Sequence, residues 1–314
     1  MDLIFLNGAM GAGKTATARA LQKKLPPCAM ADGDDLWNMY PFAVNDTTKA
    51  MVLSNIGHVL NSYLQSGLFS STIFSWVMHE ESIVQDILLR LPPPYGYRFF
   101  LFTLECPDQT RRARLEADAA KGLRPGGLLL RGTIARGEKR AEQCGAMLSF
   151  KLPTEGSTPE ETAERIRRIV NGEEHPLPYR RTKQLGKDER ALRKEVFMDE
   201  QGFAGEFDEA DERATHLVFY NGGEPAACCR IFPGGKPGEY VLGRLAVKKP
   251  LRGKGVGAYA VRAAEESARL CGGREMALSA QVRAQGFYER CGYAAAGEVF
   301  PEEGVPHVRM RKKL

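Results

Sequence analysis

The feature that most constrains the fold of this chain is a glycine-rich segment close to the N-terminus, Gly8-Ala9-Met10-Gly11-Ala12-Gly13-Lys14-Thr15. It matches the pattern G-x-x-x-x-G-K-T completely, and it lies between an apolar run at 3–6 and a helical stretch that starts at Lys14. Glycines allow successive backbone N–H groups to point inward around a phosphate, and the start of the helix adds partial positive charge. The segment therefore predicts a strand, a phosphate-binding turn and a helix in direct succession.

The residues of this turn have different expected roles toward a bound nucleoside triphosphate. We expect Lys14 to stabilise the charge on the transferring phosphate and Thr15 to coordinate Mg²⁺. The backbone of the other positions would hold the phosphates; these positions are Gly8, Gly11, Ala12, Gly13 and Ala16. A chance glycine turn between a strand and a helix is the alternative, and the completeness of the motif argues against it.

Apolar runs of strand length alternate with helical stretches through the first 170 residues. The predicted strands cover 3–6, 28–31, 71–77, 98–104 and 146–152, and the predicted helices cover 14–24, 47–66, 82–91, 107–120 and 157–170. This alternation implies an α/β fold in which a parallel sheet carries helices on both faces.

Two charged groups in this half are candidates for the chemistry at the phosphates. Asp34 follows the second predicted strand, and we expect it to hold Mg²⁺ through water or to accept the proton of a substrate hydroxyl. An acidic cap on a helix that starts near Asp35 is the alternative. Arg124 and Arg131 lie in the Gly- and Arg-rich segment 121–140, which we expect to be a mobile flap whose arginines close over the transferring phosphate. A solvated surface is the alternative for that segment.

The pattern changes after the polar stretch 172–177, whose glycine and proline are typical of a linker. We therefore expect two domains, 1–171 and 178–314. In the second domain short turns connect strand-like runs, which predicts a mostly antiparallel sheet. These runs cover 215–220, 226–231 and 240–247.

A second glycine-rich segment, Arg252-Gly253-Lys254-Gly255-Val256-Gly257, separates the strand-like run 242–247 from a helical stretch at 257–270. A strand, a glycine turn and the start of a helix again make a site for an anion. The form R-x-x-G-x-G is weakly specific by itself, so the motifs around it carry the interpretation.

Composition excludes several classes of function. None of the seven cysteines forms a C-x-x-C pair, which argues against a disulfide framework or a zinc site and favours a reducing cytoplasm. The formal charge of +5 is spread over both halves, and no Lys/Arg cluster alternates with aromatic residues, so nucleic acid is not an expected partner. No apolar run approaches the roughly 20 residues that span a bilayer, and no signal-peptide pattern opens the chain.

The first half resembles the small P-loop kinases, which include nucleotide, shikimate and gluconate kinases and antibiotic phosphotransferase-like proteins. The resemblance covers about 2–170 and rests on G-A-M-G-A-G-K-T, A-D-G-D-D-L-W, I-F-S-W-V-M-H and S-T-P-E-E-T-A-E-R-I. It implies ATP as phosphoryl donor together with Mg²⁺. The third strand lacks the aspartate that usually serves Mg²⁺. Small kinases often carry this carboxylate on the second strand, which favours Asp34.

The second half, about 178–314, resembles the GNAT-type N-acetyltransferases. The motifs are E-V-F-x-x-E-Q-G at 195–202, D-x-x-D-x-x-x-x-H at 208–216, L-S-A-Q at 278–281, F-Y-E-R-x-G-Y at 287–293 and G-x-P-H-x-x-M at 304–310. Such a set of spaced motifs is far more specific than either glycine turn. The resemblance implies a GNAT α+β domain that uses acetyl-CoA as acetyl donor.

The resemblance also implies which residues bind the coenzyme. Its pyrophosphate would lie on Arg252, Gly253, Lys254, Gly255, Val256 and Gly257. Backbone groups of Leu245, Ala246 and Val247 would pair with the pantetheine arm as an added strand, and Gln281 could touch the same arm.

Acetyl transfer to an amine calls for an acid and a base. Tyr288 matches the tyrosine that often protonates the departing thiolate in this family, although a core tyrosine is the alternative. The candidate bases are Glu200, Asp211, His216 and His307. Glu200 lies at a helix end that is expected to face the acceptor cleft, so it is the predicted base.

These observations favour a cytoplasmic bifunctional enzyme, in which an ATP-dependent kinase domain is fused to an N-acetyltransferase domain. Both would act on small-molecule acceptors, and modification of an antibiotic or another metabolite suits such a pair. One alternative is an acetyltransferase with a nucleotide-sensing, non-catalytic P-loop domain. Another is a non-enzymatic assembly protein, which the intact Lys14, Thr15 and Tyr288 argue against. The sequence names neither the acceptors nor the oligomeric state.

Overall fold

The chain divides into two compact units, Met1–Pro176 and Leu177–Leu314. The structure is a computed structural model that describes residues 1–92, 96–122, 127–302 and 304–314. The boundary between the units lies at the end of the expected linker, and Glu173 of that stretch is ion-paired with Arg167 of the first unit at 2.7 Å. Within the described ranges no helix has the length and apolar character needed to cross a membrane.

The first unit alternates strands and helices. Its strands are β1 (Asp2–Asn7), β2 (Cys28–Asp32), β3 (Ser71–Ser75), β4 (Arg98–Glu105) and β5 (Phe150–Pro153). Its helices are α1 (Lys14–Lys24), α2 (Asp46–Gln65), α3 (Glu81–Leu88), α4 (Asp108–Ala120), α5 (Gly127–Ala146) and α6 (Pro159–Val170).

The five strands form one parallel sheet in the order β2-β3-β1-β4-β5. Strand β1 lies in the middle, and its apolar residues from Leu3 to Leu6 are fully buried because helices cover both faces of the sheet. Ile4 packs on one face with residues of α1 and α6, and Phe5 packs on the other with residues of α2 and α3. This arrangement confirms the parallel sheet with helices on both faces.

The described part of the segment 121–140 is helical from Gly127 onward, where α5 starts, which the sequence did not predict. A flap that closes over phosphate stays a prediction. Glycines inside a helix cost about 1 kcal/mol each relative to alanine, which is why the sequence argues against a helix here. Gly137 of this helix permits a close contact with the side chain of Arg111. A Cβ atom at this position would lie 2.7 Å from Nη1 of Arg111, so the glycine lets that guanidinium approach the helix backbone.

The second unit consists of short helices around a larger sheet. Its strands are β6 (Tyr179–Thr182), β7 (Thr215–Asn221), β8 (Glu224–Pro233), β9 (Glu239–Val247), β10 (Glu275–Gln281), β11 (Ala294–Ala295), β12 (Phe300–Glu302) and β13 (Val305–Lys313). Its helices are α7 (Lys187–Arg193), which continues as a π-helical turn Lys194–Asp199, α8 (Ala210–Arg213), α9 (Val256–Leu270) and α10 (Gln285–Arg290).

The sheet of the second unit is antiparallel except between β9 and β10. Its order is β11-β13-β10-β9-β8-β7-β6, and β12 pairs with β13. Among the described residues, the pairing of β9 with β10 ends at Val241 and Ala277, so the two strands diverge beyond this point. The mostly antiparallel sheet is confirmed, and the divergence leaves one edge of β9 open along its C-terminal half.

Candidate active site

The phosphate-binding turn of the first unit has a conformation that requires its glycines. Gly8, Gly11 and Gly13 have φ of 142°, 80° and 96°, where residues with a side chain are strained. A Cβ atom would lie 2.6 Å from the carbonyl oxygen of Leu104 at Gly8, and 2.8 Å from that of Arg111 at Gly11. The turn therefore packs tightly against β4 and α4 and leads directly into α1, whose N-cap is Gly13.

Lys14 and Thr15, the first residues of α1, have defined partners. The Lys14 ammonium donates to the carbonyl oxygens of Gly8 and Ala9 at 2.9 and 3.1 Å, so it is folded over the turn. The Thr15 hydroxyl donates to Oδ2 of Asp32 at 2.9 Å. Backbone donors, an ammonium, a hydroxyl and a carboxylate thus gather at one end of the sheet, and this donor set fits a nucleoside triphosphate with Mg²⁺.

The carboxylate beside Thr15 belongs to Asp32, whereas the sequence favours Asp34 for this position. Oδ1 of Asp32 accepts the backbone N–H of Asp34 at 3.1 Å. Oδ1 of Asp34 accepts the indole N–H of Trp76 at 3.1 Å, which places Asp34 one hydrogen bond further from Thr15. A role of Asp34 at the metal stays a prediction, and Asp32 is the carboxylate that the geometry favours for it. Among the described residues no group of three or more His, Cys, Asp and Glu could hold a metal ion without other ligands.

Two arginines of α4 that the sequence did not indicate also contact the turn. Arg111 is almost fully buried, and its Nη1 donates to the carbonyl oxygen of Met10 at 3.4 Å. Nη1 of Arg114 donates to the carbonyl oxygen of Gly11 at 3.3 Å. Their spacing of three residues on a helix that follows a buried strand was a usable signal. They bring positive charge to the back of the turn.

The arginines predicted for a flap are only partly described. Arg131 is exposed on α5, and Arg124 lies outside the described residues. Further along α5, Nη1 of Arg140 lies 3.9 Å from the sulfur of Met10 in the phosphate turn. A contact of Arg124 and Arg131 with phosphate stays a prediction.

The second glycine turn is also shaped for an anion. Gly253 and Gly255 have φ of 75° and 81°, and Gly255 is the N-cap of α9. Gly257 lies under an aromatic ring, since a Cβ atom there would be 3.3 Å from Cζ of Phe287. The free backbone N–H groups at the start of α9 make this turn a site for a pyrophosphate.

The strand before this turn carries an irregularity. The register between β8 and β9 shifts between Cys228 and Arg230, and Arg244 of β9 has a φ of 53°. A hydrogen bond of the side chain helps to stabilise this strained backbone conformation, since Nε of Arg244 donates to the carbonyl oxygen of Glu206 at 3.1 Å. Beyond the bulge, Leu245 to Val247 lie on the edge that diverges from β10, where an extended ligand arm can pair with the backbone.

A cavity of about 500 Å³ opens where β9 and β10 diverge. Phe197, Phe203 and Phe232 supply apolar walls, and Glu206, Asp208, Arg230 and Arg244 supply charged ones. Gln281, Tyr288 and His307 line the same cavity. Size and lining fit an acceptor that has both apolar and polar parts.

Tyr288 packs edge-on against Phe287 and Tyr293, with ring centroids 4.9 and 5.9 Å away. Burial raises the pKa of the Tyr288 phenol well above its ordinary value, and the thiols of Cys229 and Cys291 add to this effect. The hydroxyl is therefore protonated at neutral pH. It has no hydrogen-bond partner within the described ranges, so its proton is available to a ligand in the cavity.

The comparisons with known proteins bear on this second unit. The family model described as an acetyltransferase (GNAT) domain matches 182–314. The uncharacterized N-acetyltransferase YjcF of Bacillus subtilis is 36% identical over 129 residues, which cover 40% of this chain and 91% of YjcF. YyaT of the same organism, an uncharacterized protein, is 34% identical over 128 residues, which cover 39% of this chain and 85% of YyaT.

The chain belongs to the GNAT acetyltransferase family. A crystal structure of an acyl-CoA N-acyltransferase from Pseudomonas aeruginosa is 29% identical, covers 43% of this chain and 99% of that chain, and has a TM-score of 0.40. The family model described as an AAA domain matches 4–124 of the first unit. The GNAT assignment therefore concerns the second unit, and the first unit is similar to a P-loop nucleotide-binding domain.

Three of the four candidate bases of the GNAT domain do not face its cavity as free groups. Glu200 is ion-paired with Arg252 at 2.8 Å, so its carboxylate lies at the coenzyme turn. The sequence had instead predicted that it faces the acceptor cleft. His216 is fully buried, and its Nδ1 lies 2.8 Å from Oε2 of Glu189. Asp211 is buried between Arg193 and Arg230, at 2.6 Å from each.

The protonation of these buried groups follows from their partners. Burial lowers the pKa of His216, but the hydrogen bond and the charge of Glu189 outweigh it and raise the pKa above its ordinary value. Burial raises the pKa of Asp211, but the hydrogen bonds and charges of Arg193 and Arg230 lower it by more. The net result is a pKa well below the ordinary value. Both groups therefore belong to a buried charge network and are not free to act as a base at the cavity.

His307 of β13 is the candidate base that lines the cavity. Only 8% of its surface is exposed, and its Nδ1 lies 2.9 Å from the carbonyl oxygen of Val305. A carbonyl oxygen accepts hydrogen bonds only, so this contact assigns a proton to Nδ1, and in the neutral ring the lone pair is then on Nε2. In the sheet His307 lies opposite Gln281, which also lines the cavity.

Gln281 has side-chain partners that the sequence did not indicate. Its Nε2 donates to Oε1 of Gln201 at 3.1 Å, and its Oε1 accepts from Nε of Arg283 at 2.7 Å. The amide thus links the end of β10 to the segment after the π-helical turn. Contact of Gln281 with the pantetheine arm stays a prediction.

Proposed function

We propose that the protein is a bifunctional enzyme of the cytoplasm that modifies small molecules. The GNAT domain would transfer acetyl from acetyl-CoA to an amine, and the P-loop unit would transfer phosphate from ATP to a hydroxyl. The observation that carries the acetyl-transfer part is the cavity where Tyr288, His307 and the open edge of β9 meet. Neither nucleic acid nor a membrane is part of this proposal.

In acetyl transfer, His307 would act as the base. Nε2 of His307 would accept the proton of the attacking amine, because an ammonium of ordinary pKa near 10.4 is almost entirely protonated at neutral pH and cannot attack a thioester. The phenol of Tyr288 would give its proton to the departing sulfur. Backbone groups of Leu245 to Val247 would hold the pantetheine arm, and Arg252 with the turn Gly253–Gly257 would hold the pyrophosphate.

In phosphoryl transfer, the glycine turn would hold the phosphates of ATP through its backbone. Thr15 and Asp32 would hold Mg²⁺, which supplies charge neutralisation at the phosphates when bound. Lys14 would exchange its contacts with Gly8 and Ala9 for the transferring phosphate. Asp34 would accept the proton of the acceptor hydroxyl. Support comes from the hydrogen bonds that connect Thr15, Asp32 and Asp34.

A second candidate is an acetyltransferase whose P-loop unit binds nucleotide as a sensor without catalysis. The observation in its favour is that β3 ends at Ser75 and is followed by Trp76, so this strand itself supplies no carboxylate to the site. A sensor would bind nucleotide in the same turn, but no acceptor would gain a phosphoryl group.

A screen separates the two candidates. The full-length protein is incubated with a library of small molecules and either ATP with Mg²⁺ or acetyl-CoA, and mass spectrometry detects products that gain phosphate or acetyl. The Lys14→Ala and Tyr288→Phe variants serve as matched controls, each for one reaction. Phosphorylated products lost in the Lys14 variant support the bifunctional enzyme. Tight ATP binding without any phosphorylated product supports the sensor.

A further inference from the structure

The two tryptophans of the chain meet at the same edge of the first sheet. Trp37 ends a short 3₁₀ turn, Asp35–Trp37, that follows β2, and Trp76 directly follows β3. Strands β2 and β3 are parallel neighbours, so both rings lie at the carboxyl edge where the phosphate turn follows β1. Their centroids are 6.2 Å apart, with 32° between the ring planes.

The ring of Trp76 is locked in place beside Asp34. A Cβ atom at Gly33 would overlap this ring, so the indole lies against the bare backbone of the glycine. The indole N–H is hydrogen bonded to Oδ1 of Asp34, whose backbone N–H is bonded to Asp32. A continuous set of hydrogen bonds therefore links Thr15 in the phosphate turn to an aromatic surface.

The same surface extends onto an exposed apolar side chain. The ring of Phe42 lies 6.4 Å from that of Trp37, and Phe42 is 68% exposed. The indole N–H of Trp37 is buried and is without a hydrogen-bond partner in the part of the chain that the structure describes. Partly exposed aromatic side chains beside a carboxylate at a phosphate-binding turn mark a binding surface for a small molecule.

We propose that Trp37, Trp76 and Phe42 form the acceptor site of the P-loop unit, and that its acceptor is an alcohol attached to a planar aromatic ring. The inference rests on the proposed phosphoryl transfer, because Asp34 is the group that would receive the hydroxyl proton. The rings of Trp37 and Trp76 are half-buried and Phe42 is mostly exposed, so part of this aromatic surface is accessible for stacking. A sugar or another polyol would need a polar partner for each hydroxyl that it buries. A nucleoside and an aryl alcohol share the required chemistry.

Phosphoryl transfer at this site exchanges one phosphorus–oxygen bond for another. The hydroxyl oxygen of the acceptor forms a bond to the γ-phosphorus of ATP, the bond from that phosphorus to the bridging oxygen breaks, and ADP leaves with the electron pair. The hydroxyl proton moves to Oδ2 of Asp34, since Oδ1 is engaged by Trp76. Stacking of the ring on Trp37 would place the hydroxyl next to this carboxylate.

Intrinsic fluorescence is a direct test because both tryptophans belong to the site. The full-length protein, saturated with a non-hydrolysable ATP analogue and Mg²⁺, is titrated with thymidine, 2-phenylethanol and glucose. We expect quenching by thymidine or by 2-phenylethanol, and which of the two binds distinguishes a nucleoside from an aryl alcohol. Glucose should cause no change. Binding of glucose as tight as that of the ring compounds, or no binding of either ring compound, would overturn the inference.

Variants locate the binding. Trp37→Leu should weaken binding of the ring compound about 5- to 10-fold, the loss expected for one stacked ring, while Trp37→Phe should largely restore it. Phe69→Leu is the matched control, since Phe69 precedes β3 at the opposite edge of the sheet. Affinity for the ATP analogue should be equal in all of them. Unchanged ring binding in Trp37→Leu would overturn the inference.

The binding and activity measurements together distinguish a failure of the aromatic acceptor site from a failure of the proposed kinase activity. Ring binding that depends on Trp37, without phosphoryl transfer to any ring-bearing alcohol, would support the site and count against the kinase activity. Phosphorylation of a polyol that does not depend on Trp37 would support the kinase activity and overturn the aromatic acceptor.

Discussion

Tyr288 and His307 belong to different elements, α10 and β13, yet both line the cavity of the GNAT domain. One is a neutral phenol at physiological pH, and the other has a free ring nitrogen. An acid and a base on separate elements can act on opposite sides of a reacting thioester and amine. Their roles are separable by single substitutions that keep the shape of each side chain.

Tyr288→Phe should lower kcat for acetyl transfer by about 10²–10⁴-fold, because it removes the proton that the leaving sulfur requires. The dissociation constant of acetyl-CoA, measured by titration, should be nearly unchanged since the ring still packs. The defect should shrink with a thioester whose thiol has a lower pKa. Tyr293→Phe is the control, because Tyr293 packs beside Tyr288 without being one of the described residues that line the cavity. A uniform loss with both thioesters would mark Tyr288 as a packing residue.

His307→Gln should lower kcat/KM for acetyl transfer at neutral pH, because it removes the ring nitrogen that would accept the proton of the attacking amine. Glutamine retains a donor toward Val305 but supplies no basic nitrogen. The comparison variant is Glu200→Gln, which should keep kcat near that of the wild type because the structure pairs Glu200 with Arg252 of the coenzyme turn. If Glu200→Gln lowers kcat strongly and His307→Gln does not, the base is Glu200, as the sequence predicted.

At the scale of elements, a buried charge network connects α7, α8, β7 and β8 of the GNAT domain. Arg193 is fully buried, and its guanidinium contacts Glu189, Glu206 and Asp211. His216 completes the network through Glu189 at 2.8 Å. Buried charges of this kind are tolerated only while every partner is present, so the network makes these elements interdependent.

Glu189→Gln should destabilise the GNAT domain by about 3–5 kcal/mol, because it leaves the buried His216 without the carboxylate that faces it and removes one of the three carboxylates around Arg193. The pKa of His216 is raised in the folded state, so its protonation stabilises the domain below its unfolded pKa of about 6.5. This contribution is lost as pH rises through the raised pKa, and the variant should lack that pH dependence. Denaturant unfolding at several pH values measures both effects, with the exposed Glu212→Gln as control. Equal stability of Glu189→Gln and wild type would contradict the network.

Helices whose ends carry local signals agree closely with the sequence analysis. The helix α6 begins after Thr158, which forms a capping box with Glu161, and α1 begins at the lysine of the glycine turn as predicted. Helix α5 was missed because its glycines argue against a helix, and the fit of Gly137 against Arg111 involves a residue of another helix. Local chemistry therefore predicted those elements whose signals lie within a few residues.

At the scale of the whole molecule, each unit has its own hydrophobic core and its own anion-binding turn. The proposed reactions use separate residues, since Lys14 belongs to the first unit and Tyr288 to the second. A substitution in one glycine turn should therefore abolish one activity and leave the other unchanged.

Lys14→Ala should abolish phosphoryl transfer, because it removes the cation that stabilises charge on the transferring phosphate. Acetyl transfer by the same preparation should remain within about twofold of wild type, since the GNAT turn is unaltered. Both rates are measured on one protein sample, with circular dichroism as a check of folding. A folded Lys14→Ala protein that has lost acetyl transfer would show that the units are coupled.

The sequence by itself determined the two fold classes, the two glycine turns and the assignment of the second half to the GNAT acetyltransferases. These features depend on periodicity, on backbone freedom at glycine and on motifs within short stretches of chain. Only the tertiary structure decided that Asp32 meets Thr15, that Glu200 pairs with Arg252 and that Trp37 meets Trp76. Each of these contacts joins residues from different elements, so it is set by strand order and by the register between strands, which no local pattern encodes.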